Sequence, residues 1–314
     1  MKRILKVFSV FVGTIALLGS AAFFAPISPL ADDDDFASLS TRELYSDKIT
    51  HIDMPYRLYV PKNYDASKEY QLIVYLHGAG EIGNDNSMQI KNNMLFETLV
   101  SDEYIDEHPC IVVAPQSDQW WGGSQLVTVM SILDDISSKY NIDSERQVLI
   151  GYSMGGGAVW DMLFLYPNYF DAAVPIASVS TSGSWESIKN IPIWIFHATD
   201  DSTVSVDSSR EMYNAMLSVG GNVFMTESPN GGHSQNFIAF NKTALYNWLF
   251  SEDFKLPSRK TENGLTSDED DFPMTAVIVS AAAAVVVIGG AVSAAVVIKR
   301  RRAKKIFTDS DGGM

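Results

Sequence analysis

The chain has 314 residues, of which 46% are hydrophobic and 19% charged; that excludes a disulfide-stapled mini-protein or a disordered tail and leaves room for one or two globular units. Its formal net charge of -15 excludes a broad basic surface for nucleic acid. The charge is uneven: between Asp32 and Asp271 stand 14 basic residues against 36 acidic ones, whereas Lys2, Arg3 and Lys6 open the chain and six Lys or Arg crowd Lys299 to Lys305.

Taken in chain order, the first feature is Val7 to Phe24, which carries no charge, follows three basic residues and runs into Ser20, Ala21 and Ala22. Residues 1–31 are therefore expected to be a secretory signal with its spacer, or an anchor if they are not cleaved. Asp32 to Asp35 lacks the spacing of an EF-hand loop and reads as solvated charge.

From Phe36 to Lys255 the composition is that of one folded domain without internal repeats. Apolar, β-branched runs predict strands at Tyr56 to Val60, Gln71 to Leu76, Cys110 to Ala114, Gln147 to Ile150, Ala172 to Ile176, Ile191 to Phe196 and Val223 to Thr226. Helical spacing predicts helices over Val127 to Tyr140, Gly155 to Leu165, Asp207 to Leu217 and Thr243 to Phe250. Strands apolar at nearly every position are buried on both faces, so the fold class is α/β, with a mainly parallel sheet flanked by helices. Ligand sites in such sheets lie beyond the carboxyl ends of the strands. The single cysteine, Cys110, sits in an apolar run and is expected to be a buried strand thiol.

After the domain, residues 256–273 are polar and charged, as expected of a solvated stalk. Met274 to Ile298 is 25 residues without a charge, long enough at about 1.5 Å per residue to cross a hydrocarbon layer of roughly 30 Å. The basic cluster that follows is expected to hold residues 299–314 in the cytoplasm and the domain at the cell surface. A GPI signal would end in the apolar run itself.

The chemistry-bearing residues begin at Gly151, Tyr152, Ser153, Met154 and Gly155. This GxSxG pattern stands between a predicted strand and a predicted helix, where small neighbours let the chain turn sharply and expose a serine. A serine hydroxyl needs a general base, usually a histidine held by a carboxylate. His51, His77 and His108 precede the serine, and His197 precedes the best acid. His233, in Gly231-Gly232-His233-Ser234, is the candidate base in the order serine, acid, histidine. The acid is Asp200 or Asp201, both just past a strand end. The Met154 amide is a candidate oxyanion donor. A second donor is expected from the loop His77-Gly78-Ala79-Gly80-Glu81-Ile82-Gly83. Its GxGxxG spelling resembles a dinucleotide fingerprint, but Asn84-Asp85-Asn86-Ser87 is a poor start for the helix such a site requires.

At these residues the chain resembles the α/β-hydrolase superfamily, and within it the exported serine esterases grouped with feruloyl esterases, polyhydroxybutyrate depolymerases and predicted peptidases. The resemblance covers nearly all of Met54 to Phe250, including Tyr56 to Pro61, Leu76 to Gly83, Ala114 to Gln116 with Trp120 and Trp121, Gly151 to Gly156, His197 to Val204, Gly232, His233 and Trp248. It implies an α/β-hydrolase fold and cleavage of carboxylic esters by Ser153, His233 and Asp201. It implies Ala79 as the second oxyanion donor and Trp120 and Trp121 as cleft lining; His77 and Tyr152, beside the loop and the serine, are further candidate substrate contacts. No metal or organic cofactor is implied. The expected partners are a small-molecule or polysaccharide-linked ester and, through 274–298, a lipid bilayer. A serine peptidase or arylamidase of the same fold is the alternative enzyme, and a catalytically dead surface-binding module the alternative class. Relatives often carry a basic residue at Ile82, a glycine at Ala198 and a proline at Ser205; the first departure weakens any transfer of substrate contacts.

Overall fold

The computed structural model describes residues 37–101, 107–234 and 242–257. The expected signal at 1–31, most of the stalk, the apolar segment 274–298 and the tail 299–314 lie outside the described residues. Among the described residues no helix is long and apolar enough to cross a membrane.

Among the described residues eight strands form one sheet: β1 (Thr41–Ser46), β2 (Asp53–Tyr59), β3 (Tyr70–Leu76), β4 (Cys110–Pro115), β5 (Ile142–Tyr152), β6 (Ala172–Ile176), β7 (Ile193–Ala198) and β8 (Val223–Ser228). Their order is β1-β2-β4-β3-β5-β6-β7-β8. β1 and β2 pair antiparallel, as do β2 and β4, and every pairing from β4 onward is parallel. The helices are α1 (Met94–Leu99), α2 (Gly123–Lys139), α3 (Met154–Leu165), α4 (Trp185–Ile188), α5 (Val206–Ser218) and α6 (Lys242–Leu249).

The middle of the sheet has no polar face: β3, β4, β6 and β7 are buried at every position. Alternate residues feed two cores, as the two-residue period of a strand requires. Leu72, Val74 and Leu76 pack with Leu126, Val129, Leu133, Val159, Leu163 and Met212 from α2, α3 and α5. Ile73 and Tyr75 pack on the other face with Leu95, Phe96, Leu245 and Leu249 from α1 and α6. Cys110 opens β4 as a fully buried free thiol, its pKa pushed up to about 12 by burial.

All seven strands and four helices read from the sequence are present. β1 was not read: its sequence, Thr-Arg-Glu-Leu-Tyr-Ser, has no residue buried, so no apolar run announces it, and pairing along β2 defines it instead. The site grows from the carboxyl ends of β3, β5 and β7, the side to which parallel strands deliver their following loops.

Candidate active site

β5 is buried through its last residues and enters α3 through Ser153. Ser153 has φ 55° and ψ -114°, a conformation L residues rarely adopt and one that stores strain. Tertiary packing enforces it. A Cβ on Gly155 would collide with the carbonyl oxygen of Leu76, and one on Gly151 with that of Gly155. The glycines of GxSxG are therefore demanded by the close approach of α3 to the ends of β5, at Gly151, and β3, at Gly155. The Ser153 amide donates to Ile176 O at 2.8 Å, tying the turn to β6.

The Ser153 hydroxyl lies 2.8 Å from Nε2 of His233, and Nδ1 of His233 lies 2.7 Å from Oδ2 of Asp201. The carboxylate cannot donate, so Nδ1 carries the proton and Nε2 is free to accept from the serine. The Asp201 side chain has no solvent exposure. Its Oδ1 accepts from the amides of Thr203 and Val204 at 2.8 and 2.9 Å. Burial alone would raise its pKa, but the bonds from His233, Val204 and Thr203 outweigh burial and hold it below the ordinary carboxylate value. Asp200 does other work: its Oδ1 accepts from the Gly232 amide at 2.8 Å, anchoring the turn, at φ 56°, that presents His233.

Met154 begins α3, so its amide has no carbonyl one turn back to bond. Ala79 opens the 3-10 turn Ala79–Glu81 after β3. A clamp holds that loop: the Gln116 amide nitrogen donates to Glu81 O and Asp85 Oδ1 at 3.1 and 3.0 Å, and its oxygen accepts from the Asn86 amide at 2.6 Å.

A cleft of about 320 Å³ lies beside His233, lined by Glu81, Met88, Lys91, Asn92, Tyr152, His233 and Ser234. A larger cavity of about 430 Å³ lies among Asn222, Val223 and residues 253–257, at the start of β8 and away from these groups. Tyr152, a candidate substrate contact, lines the cleft and donates its hydroxyl to His233 O at 2.9 Å. Burial, then the nearby Glu81 and Asp201 charges, push its pKa up to about 12, so the phenol remains a donor at neutral pH. Glu81 brings a carboxyl whose pKa is raised chiefly by burial and whose Oε2 is buried without a hydrogen-bond partner.

Three expected substrate contacts, His77, Trp121 and Trp120, are not among the residues lining the cleft. His77 is fully buried: its Nδ1 donates to Gly78 O at 2.7 Å and its Nε2 accepts from the Ser117 amide at 2.9 Å. Burial drives its pKa down to about 4, so it braces the loop as a neutral ring. Trp121 is 3% exposed and donates its indole N–H to His77 O at 2.9 Å; it belongs to the same brace. Trp120 is 57% exposed and is not among the residues lining the cleft. Adjacent aromatic residues thus differ: one is committed to the core and one is open to solvent. The cleft residues Met88, Lys91 and Asn92, the Gln116 clamp and the tether from Asp200 were not read from the sequence, since no spacing rule joins residues so far apart.

Residues 114–250 match a family model described as PET hydrolase-like. Over 186 residues the chain is 26% identical to a probable feruloyl esterase C of Aspergillus terreus, covering 58% of this chain and 67% of that protein. Among solved structures, a thermostable esterase is 33% identical with a TM-score of 0.65, over 68% of this chain and 63% of that one. This chain therefore spans just under two thirds of that esterase. A ferulic acid esterase from Anaeromyces mucronatus, solved with ferulic acid, superposes with a TM-score of 0.53 at 18% identity, over 69% of this chain and 90% of that one, a likeness of fold.

Proposed function

We propose that the chain is a carboxylic ester hydrolase of the α/β-hydrolase superfamily, a reading supported by its similarity to esterases, and that it acts through an acyl-enzyme formed on Ser153. The observation that carries this reading is the unbroken line from Ser153 Oγ through His233 to Asp201, at 2.8 and 2.7 Å. In acylation the hydroxyl proton passes to Nε2 as Oγ bonds the acyl carbon. The carbonyl electron pair moves to oxygen, where the Met154 and Ala79 amides are the proposed donors; losing one such donor typically costs on the order of 10²–10³ in rate. The tetrahedral species collapses as Nε2–H protonates the departing alkoxide. Water, deprotonated by the same nitrogen, then attacks the acyl-enzyme, and Ser153 leaves with its proton restored and a carboxylic acid released. Asp201 keeps the tautomer and stabilises the imidazolium without itself taking the proton.

The proposed substrate is an aromatic or short-chain acyl ester, free or attached to a polysaccharide; the name of the feruloyl esterase relative supports its aromatic acyl part. The domain is proposed to act outside the cell, from the signal-like residues 7–24 and the uncharged stretch 274–298 ahead of a basic cluster. Protease treatment of intact cells tests that placement: digestion of the domain is expected, and full protection of a membrane-bound chain contradicts it.

Turnover of methyl ferulate, 4-nitrophenyl acetate and an aminoacyl anilide by the full chain and by Ser153→Ala tests the chemistry. Ester cleavage is expected, lost at least about 10³-fold in the variant, with the anilide far slower. Equal cleavage of ester and anilide would point to a peptidase, and no turnover by folded protein to a binding module.

A further inference from the structure

His197 ends β7 and is fully buried. Its Nδ1 lies 2.7 Å from the hydroxyl of Ser209 on α5, and its Nε2 lies 3.0 Å from Val204 O. A carbonyl only accepts, so Nε2 carries the hydrogen and Nδ1 accepts from the Ser209 hydroxyl. The same Nε2 stands 3.3 Å from Oδ2 of Asp201, with neither side chain exposed to solvent. Val204 closes a ring: its amide donates to Asp201 Oδ1 while its carbonyl accepts from His197. The turn after β7 is thus wrapped around an imidazole whose N–H is bonded to that turn's backbone and lies within 3.3 Å of the carboxylate facing His233.

We propose that His197 is a positioning residue for the reaction, a second imidazole that donates to Asp201 and sets both the angle and the strength with which that carboxylate holds His233. The proposal rests on the Ser153, His233, Asp201 reading and adds to it a group that touches no substrate. Burial keeps the His197 pKa below its ordinary value, against the opposing pull of Val204 O and Asp201, so the ring remains a neutral donor. A donor on Oδ2 draws negative charge away from His233 Nδ1. Removing it makes Asp201 a stronger acceptor, stabilises the imidazolium and moves the acid limb of the rate profile to higher pH. The other titratable groups near this relay are Glu81, Lys91 and Tyr152 in the cleft, Asp200 on the Gly232 amide, and Glu227, which stands opposite His197 on β8 and is paired with Arg210 of α5; none of them is altered in the test.

The test compares pH profiles of kcat/KM for 4-nitrophenyl acetate in the full chain and in His197→Leu, His197→Gln and Ser209→Ala. In His197→Leu, kcat is expected to fall about tenfold with KM within about twofold, and the acid limb to rise by about half a pH unit. His197→Gln, whose amide N–H can reach the same oxygen, is expected to restore the limb and most of kcat. Ser209→Ala, which frees the ring to turn, is expected to move the limb in the same direction by less, and it carries the test if the leucine variant does not fold. A limb unmoved in every folded variant, with rate lost only in proportion to the folded fraction, would overturn the proposal. If Ser153→Ala remained active, the underlying reading would fail instead, so the two failures are distinguishable.

Discussion

The nucleophile turn and the histidine loop meet across 2.8 Å, yet they are held by opposite means. Ser153 is fixed by backbone packing: the glycine Cα atoms at 151 and 155 stand so close to neighbouring carbonyls that no side chain fits. His233 is fixed by polar tethers from afar, namely Asp200 on the Gly232 amide, Tyr152 on the His233 carbonyl and Asp201 on the ring. Steric confinement makes the attacking atom rigid, whereas hydrogen bonds allow the base to be tuned in small steps. Mutations of the glycines in the first region should therefore act on the fold and those in the second region on the rate.

The largest expected effect belongs to the second region. Asp201→Asn preserves the shape but removes the acceptor that sets the His233 tautomer, and kcat should fall on the order of 10⁴-fold with little change in thermal midpoint; a midpoint lowered as much as by a core cavity would break the distinction. Gly155→Ala should do the reverse. Its Cβ meets the backbone of Leu76 and His77, which cannot move aside as a flexible side chain would, so a stability loss of about 3–5 kcal/mol is expected in urea unfolding.

A third effect is pH-dependent. The folded pKa of His77, near 4, lies below its ordinary 6.5, so as pH falls the unfolded chain takes up the proton first. The stabilisation is complete above pH 6.5 and is lost as pH drops toward 4, by up to about 3 kcal/mol; His197, lowered for the same reason of burial, acts in the same sense. Calorimetry from pH 7 to pH 4 should show the decline, and His77→Gln should reduce it. The smallest effect is that of Tyr152→Phe. It deletes one bond to the His233 carbonyl, for which a stability loss of no more than about 0.5–1.5 kcal/mol and a two- to tenfold fall in kcat/KM are expected.

The same contrast explains what could be read before the structure. The parallel sheet and its flanking helices were legible because strands buried on both faces must be apolar throughout, and the serine turn because its steric demand fixes glycines two residues either side. His233 was reachable by chain order, and Asp201 was preferred over Asp200 only through the family resemblance, since the residues themselves offered two adjacent carboxylates. The cleft lining was not legible. His77 and Trp121 have the composition of substrate contacts, but their polar atoms are spent on the loop brace, and that choice depends on Ser117, forty residues away from His77. β1 escaped because an exposed edge strand needs no apolar pattern.

Mapping the adduct formed by a fluorophosphonate on the full chain tests the central claim most directly. The account predicts a single phosphonyl group on Ser153, absent in Ser153→Ala and formed at least about 100-fold more slowly in His233→Ala. An adduct on any other residue, or none on folded protein, would contradict it.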